Sequence, residues 1–373
     1  MRGAFWLTAI AVFVQICSPA FGFENDPIGG ILGPGAPVPA SLEKLLSAGF
    51  PGAIDQLMAI KNVAPLYAEP KMPNEGVWIK EDLSDGHDVV PLIYQTFYRP
   101  SDNFPNSIVY MMLLNMRRIS PRLYLGAAEQ YRKGSVSCIE PANQRYLVAV
   151  TNALWQTRHA GKGGIILDGQ VLKKMEPGVA AIVVYRDGSV DIREWSDEIS
   201  LAEVQAARQL MHLIVKDGRV VTAVEKNGRL VSSEIGLGAL LNEDQPVITV
   251  SGGYWGEQTY QQLNTTSGDL WFLANRSAFG VRPDGNLVFA VGHHISTVDL
   301  AKALVLAGCV RGMHGDANPG NAVGCLYYTD GNGKIINSQG LSPLQDKKAP
   351  DRYLTGSYPK DFFAFFRSEK NHH

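Results

Sequence analysis

Two short strings hold the residue types from which hydrolytic chemistry is most readily built. Asn275-Arg276-Ser277-Ala278-Phe279-Gly280-Val281 carries an arginine whose planar fork can hold an anion through two parallel hydrogen bonds. Met313-His314-Gly315-Asp316-Ala317-Asn318-Pro319 carries a histidine, a glycine and a carboxylate in succession. Asp316 could act as a nucleophile, a water-activating base or an electrostatic stabiliser of developing positive charge, with His314 as a secondary acid/base. Gly315 lets backbone amides come close to a ligand. Each residue also has a structural alternative. Arg276 could pair with a core carboxylate, and Asp316 could cap a turn before Asn318–Pro319 by accepting from backbone amides. The spacing of His293–His294 and His314 fits no strong zinc pattern, so the two neighbouring histidines read as loop-lining or backbone-satisfying residues, and no metal ligands are assigned.

The elements that must position these residues follow in chain order. The first string reads as a strand. It is followed by a tight turn at Asp284–Gly285 and an apolar strand over Asn286–Val291. A helix is predicted over Ser296–Ala307, opening on a Ser-Thr-Val-Asp capping pattern and stopping before Gly308. A strand over Cys309–Met313 then delivers the Gly315–Asp316 loop, where exposed backbone amides could meet a ligand. Further strands are predicted at Val89–Thr96, Ile108–Leu114, Leu123–Gly126 and Tyr146–Thr151. Dipeptides suited to hairpins recur at Asp168–Gly169, Asp187–Gly188, Asp217–Gly218, Asn227–Gly228 and Asp330–Gly331. A second helix is predicted over Leu201–Val215, because Val204, Ala207, Leu210, Met211 and Ile214 fall on one helical face. The expected class is α+β, an extended and mostly antiparallel sheet with packed helices.

The chain has 373 residues, a formal net charge of -2, 45% hydrophobic and 19% charged residues. That balance is ordinary for a globular protein and gives no electrostatic reason to expect nucleic acid. Arg2, the apolar run Ala4–Val14 and the small residues Ala20 and Gly22 have the form of an export signal over 1–22, too short for a membrane span. Export implies a secreted or periplasmic protein with no membrane span after cleavage. A Gly/Pro-rich lead-in and two short helices within Ala40–Lys61 are expected over 23–75, with one principal domain over 76–373. Of the cysteines left after cleavage, Cys309 and Cys325 bracket the glycine-rich loop and are the expected disulfide, against an alternative of three buried thiols. Ser251-Gly252-Gly253 lacks a nucleophile elbow, and no phosphate-binding or dinucleotide fingerprint follows a strand, which disfavours serine hydrolases, nucleotide triphosphatases and Rossmann enzymes.

Taken in order, the Arg276-Ser277-Ala278-Phe279-Gly280 strand, the turn, the strand ending at Gly292, the helix and the Asp316 loop resemble the phosphodiester glycosidase family. The resemblance extends back through Trp255–Gly256 and the Val183–Trp195 hairpin to Ala149-Val150-Thr151-Asn152-Ala153-Leu154-Trp155, and forward to Lys360-Asp361-Phe362-Phe363. Gly315-Asp316-Ala317-Asn318-Pro319 stands where the family shows a Leu-Asp-Gly-Gly-Gly-Ser loop, and is closer to bacterial relatives with an Asp-Ile-Asn-Pro loop. The resemblance implies an exported hydrolase acting on a glycosyl phosphodiester in a glycan or envelope polymer, with no cofactor. Such a substrate already has a weakly basic leaving group, so the enzyme must chiefly hold an anion and stabilise a cationic sugar ring. Arg276 would do the first and Asp316 the second, while Asn152 and Asn318 would hydrogen-bond sugar hydroxyls or an acetamido group. The alternative is a glycan-binding or envelope-interaction protein that keeps the fold without catalysis.

Overall fold

The computed structural model describes residues 60–84, 91–102, 104–128, 137–154, 163–210, 213–221, 223–226, 229–232, 238–242, 247–251, 258–259, 273–317 and 320–368, with side chains described outside 222–272. The expected signal, the helices within Ala40–Lys61, Asn318, Trp155 and Trp255–Gly256 lie outside the described residues.

Three antiparallel sheets dominate. The central sheet has eight strands: Ile79–Lys80 (β1), Ile93–Tyr98 (β2), Ile108–Leu114 (β3), Leu213–Lys216 (β11), Arg219–Val220 (β12), Ala274–Val281 (β18), Leu287–Ile295 (β19) and Arg311–His314 (β20). Their spatial order is β1-β2-β3-β19-β18-β20-β11-β12. A facing sheet is built from Ile119–Tyr124 (β4), Leu147–Asn152 (β5), Gly324–Thr329 (β21), Ile335–Gly340 (β22) and Phe362–Arg367 (β23), ordered β22-β21-β5-β23-β4. A third sheet contains Ile165–Leu167 (β6), Gln170–Lys173 (β7), Ala180–Tyr185 (β8), Val190–Glu194 (β9) and Val204–Gln209 (β10), ordered β7-β6-β10-β8-β9. Two smaller sheets pair Ala223–Lys226 (β13) with Arg229–Ser232 (β14), and join Gly238–Asn242 (β15), Val247–Ser251 (β16) and Gln258–Thr259 (β17).

This corrects the expected class. Strand far outweighs helix, and the only α-helices among the described residues are Pro141–Gln144 (α1) and Thr297–Leu306 (α2). The largest error was at Leu201–Val215, expected as a helix and found as strands β10 and β11. The reason is burial on two sides. Ala206 faces the main core while Val204 and Ala207 face a second core with Trp195 and Met175, so β10 loses the period-two alternation that marks a half-buried strand.

The short turns behave as their residues require. Asp168 and Gly169 have φ of 51° and 73°, and Asp217 and Gly218 have 51° and 70°, a left-handed backbone that glycine and aspartate tolerate at hairpin tips. The helix α2 begins as its sequence indicates, with Ser296 Oγ accepting from Asp299 N at 3.1 Å. It lies on one face of the central sheet, where Gly280 and Gly312 have no side chains and Leu304 fills the space above them.

The main core lies on the opposite face of the central sheet. The Phe279 ring lies 4.9 Å from that of Phe289 in the same sheet and 5.8 Å from that of Phe363 in the facing sheet, centroid to centroid. The outer face of the facing sheet carries its own core of Tyr327, Tyr353, Tyr358 and Phe362. Cys309 and Cys325 are both free, which overturns the expected bridge. Cys309 is on the α2 side of the central sheet, close to where a Gly280 side chain would be, whereas Cys325 is in the outer core of the facing sheet.

Candidate functional site

Antiparallel pairing decides which side chains can meet. Residues directly opposite one another share a face, and successive residues alternate. Arg276 pairs with Gly292, Ala278 with Ala290 and His314, and Gly280 with Gly312. Arg276 and His314 therefore share the α2 face. Ser277 pairs with Val291 and shares the opposite, inter-sheet face with Phe279.

On the α2 face, Arg276 is 3% and His314 2% exposed. Arg276 donates from Nε to Ile295 O at 3.1 Å, and its Nη1 lies 3.2 Å from His314 Nε2. A guanidinium has donors only, so the His314 ring must accept at Nε2 and is neutral. Burial, and then the charge of Arg276, hold the His314 pKa well below the usual imidazole value. The Ile295 carbonyl is brought into reach by a bulge: one residue separates Ala274 from Arg276, while two separate Gly292 from Ile295 on β19. His294 in this bulge has φ 53°.

On the inter-sheet face, Ser277 is a hub. Its Oγ accepts from Asn152 Nδ2 at 3.0 Å and from Asp316 N at 2.9 Å. Its backbone continues the ladder past the end of β20, with Gly315 N donating to Ser277 O at 2.7 Å and Ser277 N to Asp316 O at 2.8 Å. Gly315 is required here, because a Cβ would lie 2.4 Å from Ser277 Oγ and 3.0 Å from Ser277 O. Asn152, at the end of β5, also accepts from Val323 N at Oδ1, 3.1 Å away. The node thus joins the central and facing sheets and fixes the start of the Asp316 loop. Asp316 is 5% exposed. Its carboxylate is near enough to Tyr358 to help raise that phenol, whose shift comes first from burial.

Sequence reasoning missed a second anchor beside Asn152. Arg208, fully buried, donates from Nε to Asp361 Oδ2 at 2.8 Å. Asp361 also accepts from Gly126 N at Oδ1 and from Ala153 N at its carbonyl. The pair ties β10 to the facing sheet and holds Ala153, the residue after Asn152. The available signal was a charge inside an apolar stretch at Arg208 and the Lys360-Asp361-Phe362-Phe363 string. Of the expected site residues, Asn152, Gly315 and Asp316 come together through Ser277, Arg276 and His314 come together on the other face, and Asn318 lies outside the described residues.

No family model and no curated protein matches the chain. Among solved structures, the zebrafish N-acetylglucosamine-1-phosphodiester alpha-N-acetylglucosaminidase catalytic domain, auto-inhibited by its pro-peptide, is similar at 12% identity and a TM-score of 0.42 over 78% of this chain and 88% of that one. A hypothetical protein from Synechocystis is similar at 12% identity and a TM-score of 0.35 over 74% of this chain and 62% of that one. At these scores the likeness is a distant one of fold, and it assigns no role to any residue of this chain.

Proposed function

We propose that the chain is an exported hydrolase that cleaves a sugar-1-phosphodiester linkage in a glycan or envelope polymer. Asp316 is the carboxylate that stabilises the cationic sugar or activates water, and Asn152, Asn318 and Gly315 are the groups that hold the sugar. The observation that supports this is the Ser277 node, which places Asn152 and the Asp316 loop together at strand ends. Buried polar groups are costly unless fully satisfied, so a polar bridge between two apolar sheet faces is a specific feature of this end of the molecule. Arg276 and His314 act from behind the sheet, by fixing the bulge of β19 and the end of β20 from which the loop leaves. The test is a panel of sugar-1-phosphodiesters with product analysis, using the Asp316→Asn variant alongside. Release of free sugar and a phosphomonoester by the natural chain, lost in the variant, is the expected result; no turnover of any member overturns the reading.

One observation favours the second reading, a glycan-binding protein without catalysis. The side chains of Arg276 and His314 are turned to Ile295 O and to each other on the face away from the Ser277 node, a structural arrangement for two of the expected catalytic residues. Saturable binding of the same panel without product would establish that reading.

A further inference from the structure

The end of the molecule that carries the Ser277 node has a second polar bridge between the same two layers. Ser342 follows β22 of the facing sheet and is 2% exposed, and its Oγ is 2.7 Å from Nε2 of His293 on β19. Leu344 N donates to the same Oγ at 3.1 Å, and in the tautomer whose Nε2 is unprotonated the Ser342 hydroxyl donates to the imidazole. His293 is 8% exposed and meets the Tyr110 ring edge-on, with centroids 6.0 Å apart. Tyr110 pairs with Val291, and Val291 pairs with Ser277. His293 therefore shares the inter-sheet face with Ser277 as its diagonal cross-strand neighbour, a relationship that spans about 7–8 Å. The two bridges sit on neighbouring strands, and the Asp316 loop adjoins Ser277 on its other side.

We infer that His293 and Ser342 form the proton-transfer pair of this site, in place of His314, which lies on the opposite face with Nε2 turned to Arg276. The inference rests on the hydrolase reading and, of the two roles given there to Asp316, leaves it stabilisation of the cationic sugar and moves water activation to Ser342 and His293. In the step it serves, the oxygen of a water bonds to the anomeric carbon while the bond from that carbon to the phosphate oxygen breaks, its electron pair leaving with the phosphomonoester. The proton of the water passes to Ser342 Oγ as the hydroxyl proton of Ser342 passes to His293 Nε2, and the imidazolium then returns its proton to solvent. A neutral imidazole is needed to begin, and burial lowers the His293 pKa. Of the titratable groups facing it, Tyr110 is itself held protonated by burial, and among the described residues no charged group contributes to the His293 shift.

The test follows kcat against pH for the natural chain, His293→Gln and Ser342→Ala on the best phosphodiester of the panel, with the His293 ring titrated by NMR in the natural chain with and without glucose 1-phosphate. Expected are a kcat loss of about 100-fold in His293→Gln with little change in KM, loss of the fall in rate on the acid side, and an upward move of the His293 titration when the sugar phosphate binds. Should His293→Gln fail to fold, Ser342→Ala and the titration carry the same test. A His293→Gln enzyme that keeps the acid-side fall overturns the inference and leaves the hydrolase reading standing. A His293 titration moved by glucose 1-phosphate in a protein that turns over nothing overturns the hydrolase reading and the proton-transfer role with it, and leaves His293 as a sugar-phosphate contact only. A titration that does not move, with no turnover, overturns both.

Discussion

The two faces of the central sheet at β18 treat neighbouring residues in opposite ways. Toward α2, Arg276 holds a carbonyl and a neutral histidine in a layer closed by a helix. Toward the facing sheet, Ser277 holds an asparagine from another sheet and, at Asp316, a backbone amide of a loop. The first arrangement ends inside one layer, whereas the second couples two layers and a connecting segment. A string that looks like one constellation in the sequence is thus two environments, because a strand sends consecutive side chains to opposite sides.

Substitutions on the two faces sharpen this difference. The largest effect is expected from Asp316→Asn, which should lower turnover of a phosphodiester substrate by about 100-fold or more while the melting temperature is kept, because a neutral amide cannot stabilise developing positive charge. Arg276→Lys should lower turnover less and the melting temperature more, since an ammonium cannot reproduce the fork. Steady-state kinetics with thermal melts separates them, and an Asp316→Asn enzyme of near-normal rate would end its proposed role.

Next in size, Ser277→Ala removes the acceptor of two buried donors and should cost about 1–3 kcal/mol in denaturant unfolding. Combined with Asn152→Ala it should cost clearly less than the sum of the two, since both remove one shared bond. Strict additivity would break the node into unrelated contacts. Smaller again is the matched pair of glycine changes. Gly315→Ala and Gly280→Ala each drive a Cβ to 2.4 Å, from Ser277 Oγ and from Cys309 Sγ respectively, and each should cost about 1–3 kcal/mol. Only Gly315→Ala should also slow turnover beyond what its loss of stability explains, and equal kinetic effects would remove the distinction between the faces.

The gentlest effect is on pH. His293 and His314 both have lowered pKa values, so below about pH 6.5 the unfolded chain binds more protons than the folded one. Stability should therefore fall as pH drops through that window and level off above it. A urea midpoint at pH 5 equal to or above that at pH 7.5 would contradict this.

Much of the chain was legible where local chemistry decides. Ile108–Leu114 was read with its observed bounds, the Asp-Gly pairs turn where expected, and Ser296 caps α2. What could not be read depended on contacts between distant segments. The double burial of β10 erased its alternation, and the cysteine pairing failed because Cys309 and Cys325 belong to different layers. At the site, Asn152, Gly315 and Asp316 were named, but their common partner was not. A serine inside a strand carries no sequence signal for whether its hydroxyl meets solvent or two donors from 125 and 39 residues away. Likewise His293 gave no sign in the sequence that Ser342, 49 residues on, would reach it.

The separate positions of the two buried thiols have a consequence for watching the molecule come apart. Burial pushes both the Cys309 and the Cys325 thiols far up, so neither of these two offers a thiolate in the folded chain, and an alkylating reagent reaches them only in opened forms, whereas Cys138 is only partly buried. Cys309 is released when the helix layer lifts, and Cys325 when the outer core of the facing sheet opens. Their labelling rates act as two independent clocks: matching rates mean that the layers open as one cooperative unit, and a faster clock at either cysteine identifies the layer that detaches first.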